Sequence, residues 1–218
     1  MTHDHSPDGW AVVIPVKAAT RGKSRLDVSG VDRVALARAI ALDTIAAVAA
    51  CTVVTRIVVV TDDPTLAIHA ADIPRLRFVD EGDADGLNDA IDLGIQTVPE
   101  GMLRAALLAD LPALQPRDLE RALNSAASAD KGVVADADGT GSTLVTMQAG
   151  ATWKTAFGEG SFARHLAMRH APLDVPGESS LRRDVDTAEH LGLAQRLGLG
   201  PRTTAVLARG TVQGDNSK

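Results

Sequence analysis

Strand-like and helix-like segments alternate along this chain, and that order constrains its fold more than any other feature. Short apolar runs rich in β-branched residues, at residues 11–16 and 57–61, are typical of buried strands. Residues 32–50 carry apolar side chains at helical spacing, with Asp32 near the start of the predicted helix. Because such alternation builds strand–helix–strand units, it predicts an α/β fold: a single-domain, three-layer α/β/α sandwich around a Rossmann-like, mainly parallel mixed sheet.

The pattern changes in the second half of the chain. Residues 132–135 and 142–147 predict two strands joined through the Asp138-Gly139 turn, and hence an antiparallel insertion. We expect disordered tails at residues 1–9 and 210–218, with one domain from residue 10 to residue 209. The remaining predicted elements are strands at 76–79, 103–109 and 181–186, and helices at 65–71, at 88–97 with Asn88 or Asp89 as its cap, from Pro116, and at 161–170.

The composition argues against several classes of function. The 218 residues carry a formal net charge of -6 and include three Phe, two Trp and no Tyr, which disfavours nucleic-acid binding by base stacking. The single cysteine, Cys51, cannot form an internal disulfide. Residues 34–54 contain Arg38 and Asp43, which make them a poor membrane span, and the first residues are too polar for a signal peptide. We therefore expect a cytoplasmic protein that binds neither membranes nor nucleic acids; a homo-oligomer is compatible with the sequence.

A cluster of basic residues follows the first predicted strand. Lys17, Arg21, Lys23 and Arg25 lie within nine residues of an otherwise acidic chain, and a loop that gathers like charges usually holds an anion. Open α/β sheets bind ligands at the carboxyl ends of their strands, so a phosphate-rich small molecule is the expected ligand. The loop has neither P-loop spacing nor a dinucleotide fingerprint. A solvated basic loop without a ligand is the alternative.

Acidic residues follow two of the later predicted strands or lie within them. Asp110 ends the run at 103–109, where its carboxylate would suit Mg²⁺, a cation that prefers oxygen ligands and keeps contacts to substrate phosphates. Asp184 and Asp186 alternate, so on a strand they would share one face and could complete the same metal site. The alternatives are a turn-forming Asp110 and a helix cap at Asp186 or Thr187.

Two glycine-containing segments form a further candidate site. One is Thr-Gly-Ser-Thr at residues 140–143, and the other is Phe-Gly-Glu-Gly-Ser at residues 157–161, which leads directly into a predicted helix. Backbone N–H groups at such a helix start can bind an anion without any side-chain charge. A simple loop-to-helix cap at Ser161 is the alternative.

Taken in order, these segments resemble one family. The chain is similar to the guanylyltransferases of deazaflavin coenzyme F-420 biosynthesis, which have the nucleotide-diphospho-sugar transferase fold. Each motif alone is weak, but the ordered set is fairly specific and spans residues 12–197. The matching segments are residues 15–17, 22–26, 87–91, 109–114, 139–141, 157–161 and 184–187.

The resemblance implies roles for individual residues. Lys17, Lys23 and Arg25 would bind the phosphates of GTP and, with Asp110, form the catalytic set, and Asn88 would lie near the nucleotide. Asp110 and one of Asp184 or Asp186, with Asp186 favoured, would hold Mg²⁺. Thr143, Gly158 and Ser161 would hold phosphoenolpyruvate. The chain departs from the family pattern at Ala109, where many members have Gly, and at Ser142, which precedes Thr143 where relatives often show Gly-Thr-Gly-Thr.

The resemblance also implies a reaction. The expected activity is transfer of GMP from GTP to phosphoenolpyruvate, with release of pyrophosphate. Closely related acceptors, 2-phospho-L-lactate or 3-phosphoglycerate, remain open, because they differ from phosphoenolpyruvate mainly at one carbon. A molybdenum-cofactor guanylyltransferase is less consistent with the Pro-Val-Lys sequence at residues 15–17. A non-catalytic nucleotide-binding regulator on the same fold is the alternative from another class.

Overall fold

The structure, a computed structural model, describes residues 9–18 and 25–215, with side chains up to Gly210. Within these residues one sheet of seven strands has the order β3-β2-β1-β4-β6-β5-β7. The strands β1, β2, β3 and β4 are parallel to one another, whereas β6 is antiparallel to both β4 and β5. Their bounds are β1 Trp10–Pro15, β2 Val54–Thr61, β3 Leu76–Asp80, β4 Leu103–Leu107, β5 Lys131–Ala135, β6 Ser142–Met147 and β7 Ala171–Pro172.

Helices connect the strands and cover the sheet. Asp32 caps the longest of them by accepting a hydrogen bond from the Ala35 N–H at 2.7 Å, as the sequence predicts. Pro116 occupies the first turn of the fourth helix, where its missing N–H costs nothing. The helices are α1 Arg33–Ala50, α2 Leu66–His69, α3 Leu87–Gln96, α4 Pro116–Ala126, α5 Ser161–Ala167, α6 Ala188–Gln195 and α7 Pro201–Asp215, with a 3₁₀ turn at Ser180–Arg182.

The core lies on both faces of the central strands. Val12 and Ile14 of β1 pack on the face covered by α1 and α4, and Ala11 and Val13 pack on the face covered by α3. Gly94 lets α3 approach the sheet closely, since a Cβ there would lie 2.5 Å from Val13 Cγ1. The fold is therefore the predicted α/β sandwich with an antiparallel insertion. None of the described helices combines the length and apolarity that a membrane crossing requires.

Several predicted elements are wrong in detail. Residues 181–186 are not a strand: the 3₁₀ turn is followed by a segment without regular secondary structure, whose Val185 N–H donates to the Asp110 carbonyl at 3.0 Å. The last helix, α7, continues to Asp215, within the segment 210–218 that was expected to be a tail. The helix α3 is capped by Gly86 rather than by Asn88 or Asp89. The short edge strand β7 had no distinct pattern, since it has only two residues, Ala171 and Pro172.

Candidate functional site

Two adjoining cavities lie at the carboxyl ends of β1, β2 and β4. The first, the Lys17 cavity, has a volume of about 250 Å³ and includes Pro15, Val16 and Lys17 in its wall. The second, the Gly158 cavity, has a volume of about 650 Å³ and includes Gly158, Glu159 and Ser161. Four residues line both cavities and therefore form the border between them: Leu87, Leu108, Asp110 and Asp186.

A cluster of four carboxylates surrounds this border. Burial, together with the negative charges of Asp110, Asp186 and Asp136, raises the pKa of Asp184 to about 7. Val185 is fully buried, and both of its neighbours line the Gly158 cavity. Asp184 and Asp186 thus share a wall, as alternation predicts, although the segment is not a strand. The mutual repulsion of these carboxylates favours a cation between them.

The donor set fits a hard divalent cation that also takes ligands from a substrate. Among residues 9–18 and 25–215, no three His, Cys, Asp or Glu side chains are grouped so as to hold a metal ion by themselves. Carboxylate oxygens suit Mg²⁺, which commonly binds through one or two carboxylates and completes its shell with phosphate oxygens and water. Asp110 and Asp186 are the candidates, because they alone among the four carboxylates line both cavities.

The basic loop is divided between the cavities as far as the structure describes it. Lys17 lines the Lys17 cavity, whereas Arg25 lines the Gly158 cavity. The Ala18 N–H donates to Asp62 Oδ1 at 3.1 Å, which holds the beginning of the loop beside the end of β2. Lys23 and Arg21 lie outside the described residues. The structure therefore does not bring Lys17 and Arg25 to the same cavity.

The loop at residues 157–161 has a specific backbone conformation. Gly158 has φ of 118° and Gly160 has φ of 65°, values that favour glycine. Asn88, at the start of α3, forms two hydrogen bonds with the backbone of Phe157. Its Nδ2 donates to the Phe157 carbonyl at 3.1 Å, and its Oδ1 accepts from the Phe157 N–H at 2.8 Å. The Thr155 hydroxyl also donates to Oδ1, at 3.1 Å.

Two side chains of α5 hold the same loop from the other side. His165 Nε2 accepts from the Ala156 N–H at 3.0 Å, so its Nδ1 carries the proton and donates to the Ser142 hydroxyl at 3.0 Å. Burial, with the positive charges of His170 and Arg164, lowers the pKa of His165 to about 4, and the ring is neutral at pH 7. Arg164 donates to the carbonyls of Ala156 and Glu159.

Two predicted site residues do not reach a cavity wall. Asn88 is not in the wall of either cavity, and its amide is occupied by the loop at Phe157 rather than directed to a nucleotide. Thr143 is fully buried, and its hydroxyl has no hydrogen-bond partner within the described part of the chain. Its neighbours Gly141 and Ser142 line the Gly158 cavity instead. The roles of Asn88 and Thr143 thus stay predictions.

Sequence reasoning missed several residues in the cavity walls, among them three charged ones. Asp136 follows β5 and lines the Gly158 cavity, in the same position relative to its strand that drew attention to Asp110. Arg38 of α1 and Asp63 after β2 line the Lys17 cavity. Asp63 follows the clearest buried strand, so a charged residue at a strand's carboxyl end was the signal for it. Nothing in the helical pattern of α1 distinguishes Arg38.

Comparison with solved structures identifies the fold. The structure aligns with a protein from Desulfovibrio desulfuricans G20 described as a nucleotide-diphospho-sugar transferase, with a TM-score of 0.65, 18% identity and coverage of 93% of this chain and 95% of the other. It aligns with a nucleotidyl transferase from Methanothermobacter with a TM-score of 0.59, 17% identity and coverage of 87% and 98%. The fold is that of the nucleotide-diphospho-sugar transferases.

Sequence comparison then gives the family. The profile described as "Guanylyl transferase CofC like" matches residues 10–200, and the chain belongs to this family. A protein of Thermomonospora curvata named phosphoenolpyruvate guanylyltransferase is 45% identical over 204 residues, covering 92% of this chain and 89% of the relative. A protein of Streptomyces scabiei with the same name is 44% identical over 215 residues, with coverage of 94% and 99%.

Proposed function

We propose that this protein transfers GMP from GTP to phosphoenolpyruvate, giving enolpyruvoyl-2-diphospho-5'-guanosine and pyrophosphate, as a step of coenzyme F-420 biosynthesis. The names of the relatives support the choice of both substrates. The observation that carries the proposal is the pair of cavities that share Asp110 and Asp186, since a group transfer must bring two substrates together at one border. GTP would occupy the Lys17 cavity and phosphoenolpyruvate the Gly158 cavity.

The reaction needs no general base from the protein. A phosphate monoester has a second pKa near 6, so the acceptor phosphate is largely a dianion at neutral pH. One of its oxygens attacks the α-phosphorus of GTP in line; a new P–O bond forms, the bond between the α-phosphorus and the bridging oxygen breaks, and pyrophosphate leaves. The protein's task is to hold two polyanions in this orientation and to stabilise the charge that moves onto pyrophosphate.

Charged residues around the border would offset the repulsion between the substrates. We assign Lys17 and, by the resemblance, Lys23 to the triphosphate. Arg25 lines the Gly158 cavity, which supports a contact with the acceptor rather than the GTP contact that the resemblance implies. Asp110 and Asp186 would hold Mg²⁺, which when bound neutralises phosphate charge and polarises the α-phosphoryl group.

The loop at residues 157–161 would receive the acceptor. Gly158 and Ser161 line the cavity, and Asn88, His165 and Arg164 fix the backbone around them before any substrate binds. A backbone that is already ordered loses less entropy on binding, which favours affinity for a small acceptor. Thr143, which directly follows Ser142 in β6, would complete this side of the site as the resemblance implies.

An assay of pyrophosphate release tests the proposal. Protein, GTP and Mg²⁺ are mixed with phosphoenolpyruvate, with 2-phospho-L-lactate or with 3-phosphoglycerate, and the nucleotide product is identified by mass spectrometry. We expect the highest kcat/KM with phosphoenolpyruvate. Faster turnover with one of the other acceptors would replace phosphoenolpyruvate in the proposal. Absence of pyrophosphate release with all three would leave a nucleotide-binding regulator as the better account.

A further inference from the structure

One end of the Lys17 cavity carries a pair of opposite charges that the transfer reaction does not use. Arg38 of α1 and Asp63 after β2 lie in this wall, with Arg38 Nη2 at 3.8 Å from Asp63 Oδ2. Much of the remaining wall is apolar and includes Pro15, Val16 and Leu66. A largely apolar cavity with a few convergent polar groups is the usual form of a site for a heterocyclic ring.

The strand order separates Arg38 and Asp63 from Asp110 by a distance that suits the base and the α-phosphate of one nucleotide. β1 lies between β2, which precedes Asp63, and β4, which precedes Asp110. Neighbouring strands are about 4.8 Å apart, so the ends of β2 and β4 are separated by about 10 Å. If the α-phosphate lies at the border near Asp110, the base of the same nucleotide extends towards Arg38 and Asp63.

Asp63 is ionised, and only one of its two carboxylate oxygens, Oδ1, accepts hydrogen bonds from Thr65. Its Oδ1 accepts hydrogen bonds from the Thr65 N–H at 2.9 Å and from the Thr65 hydroxyl at 2.6 Å. Burial works against its ionisation, but these hydrogen bonds and the charge of Arg38 outweigh that effect and lower its pKa below the usual value. Its Oδ2 lies 3.8 Å from Arg38 Nη2, too far for a hydrogen bond, and can accept hydrogen bonds from a ligand.

Arg38 offers donors beside this acceptor. Its Nη1 lies 3.3 Å from His69 Nε2, which fixes one side of the guanidinium. Its Nε is buried and has no hydrogen-bond partner within the described residues. A buried donor without a partner is costly, because its contact with water is lost and not replaced. The pair therefore places one carboxylate oxygen and one guanidinium group in the wall of the same cavity.

We propose that Asp63 and Arg38 select guanine over adenine, and this inference rests on the proposed use of the Lys17 cavity for GTP. Guanine has adjacent donors, N1–H and the 2-amino group, which Asp63 Oδ2 accepts, and an acceptor at O6, to which Arg38 donates. Arginine commonly pairs with guanine acceptors for this reason. Adenine places its N1 acceptor against the carboxylate and lacks the 2-amino group, so it leaves both side chains without suitable partners.

The test exchanges acceptor and donor at position 63. We expect Asp63→Asn to lower kcat/KM for GTP by at least about 100-fold. The same variant should use xanthosine triphosphate better than GTP, because the new amide N–H donates to the 2-oxo group of xanthine. Asp83→Asn, an exposed carboxylate after β3, is the matched control and should keep the wild-type order of nucleotides. Retention of the wild-type preference for GTP by Asp63→Asn would overturn the proposal.

Two further measurements keep the inference testable if this variant fails to fold or if no transfer is detected. Wild-type protein should bind inosine triphosphate, which lacks the 2-amino group, about 10-fold more weakly than GTP in calorimetry without acceptor. Equal affinity for the two nucleotides, or for GTP and ATP, would contradict the role of Asp63. The two proposals can fail separately. If the protein released no pyrophosphate but its preference for GTP in binding were lost in Asp63→Asn, base selection would be supported and the transfer reaction refuted.

Discussion

The two cavities of this site are built in different ways. The Lys17 cavity is formed by strand ends, by one face of α1 and by apolar side chains, and its opposite charges lie at one end. The Gly158 cavity is larger and strongly acidic, and its loop is fixed by side chains that come from far along the chain, such as Asn88, which is 69 residues from Phe157. The Lys17 cavity therefore suits a heterocyclic ring, whereas the Gly158 cavity suits a small polyanion that is accompanied by a cation.

This difference separates residues that should affect one substrate from residues that should affect both. Substitutions at the shared border are expected to impair the reaction as a whole. Substitutions that loosen the loop at residues 157–161 are expected to change the acceptor alone. The following experiments test that separation, from the largest expected effect to the smallest.

Asp110 lies on the border, so its removal should affect both substrates. We expect Asp110→Asn to lower kcat by about 10³-fold, because a neutral amide is a poor ligand for the cation that stabilises the transferring phosphoryl group. Asp138→Asn, which changes a carboxylate of the Gly158 cavity alone, should retain most of the activity. Steady-state pyrophosphate release and circular dichroism provide the measurements. Activity of Asp110→Asn within threefold of wild type would remove Asp110 from the reaction.

Acid should destabilise the side of the molecule that carries the Gly158 loop, through His165. Its pKa is about 4 in the folded protein and about 6.5 when unfolded, so the unfolded state binds more protons between these values. The contribution of His165 to the free energy of unfolding is therefore fully present above pH 6.5. It decreases by up to about 3 kcal/mol as the pH falls towards 4. Denaturant unfolding between pH 7 and pH 4 measures this loss.

A variant isolates the contribution of His165 to this pH dependence. His165→Gln lacks the titrating ring and should show a shallower loss of stability over the same pH range. An unchanged slope in His165→Gln would mean that another group governs acid unfolding.

The approach of α3 to the sheet supports both cavities, because Leu87 at its start lines both. A Cβ at Gly94 would lie 2.5 Å from Val13 Cγ1 and 2.7 Å from Val60 Cγ2, so Gly94→Ala should lower the free energy of unfolding by about 2 kcal/mol through overpacking. Gly192→Ala in α6 meets no atom within 4 Å and should instead stabilise the protein by about 0.5–1 kcal/mol. Equal effects of the two substitutions would contradict this packing.

Asn88 should affect only the acceptor, because its amide holds the Phe157 backbone and is absent from both cavity walls. We expect Asn88→Ala to raise the KM for phosphoenolpyruvate by about 10-fold, the equivalent of about 1.4 kcal/mol, and to leave the KM for GTP unchanged. Asn124→Ala, at an exposed position of α4, is the control. A rise in the KM for GTP alone would restore the nucleotide contact that the resemblance implies for Asn88.

Much of the fold could be predicted from the sequence because it follows from local patterns. β1, β2 and α1 have long apolar or helical periodicities, and Asp32 is a standard cap, so these elements were predicted within a few residues. The segment at residues 181–186 was wrongly predicted as a strand, because the polar–apolar–polar order of Asp184, Val185 and Asp186 is also the alternation typical of a strand. The segment is held in place by contacts that only the tertiary structure supplies, among them the hydrogen bond from the Val185 N–H to the Asp110 carbonyl and the burial of Val185.

The candidate site was predictable where a functional side chain follows a strand directly. Lys17 and Asp110 were predicted in this way and do line the cavities, and Asp63 and Asp136 could have been predicted by the same signal. The way in which the Gly158 loop is supported could not be predicted: His165 was not a candidate, and Asn88 was expected near the nucleotide, whereas both side chains form hydrogen bonds with backbone atoms of the loop. The division of Lys17 and Arg25 between two cavities was also invisible, since residues close in sequence were expected to share one ligand.

The most direct test is a crystal structure with Mg²⁺, phosphoenolpyruvate and a GTP analogue that carries a methylene bridge between the α- and β-phosphates. We expect the guanine ring in the Lys17 cavity, phosphoenolpyruvate against Gly158 and Ser161, and the metal ion between Asp110 and Asp186. The acceptor phosphate should lie in line with the α-phosphorus and opposite the bridge. Both ligands in one cavity, or a metal ion bound away from Asp110 and Asp186, would contradict the account.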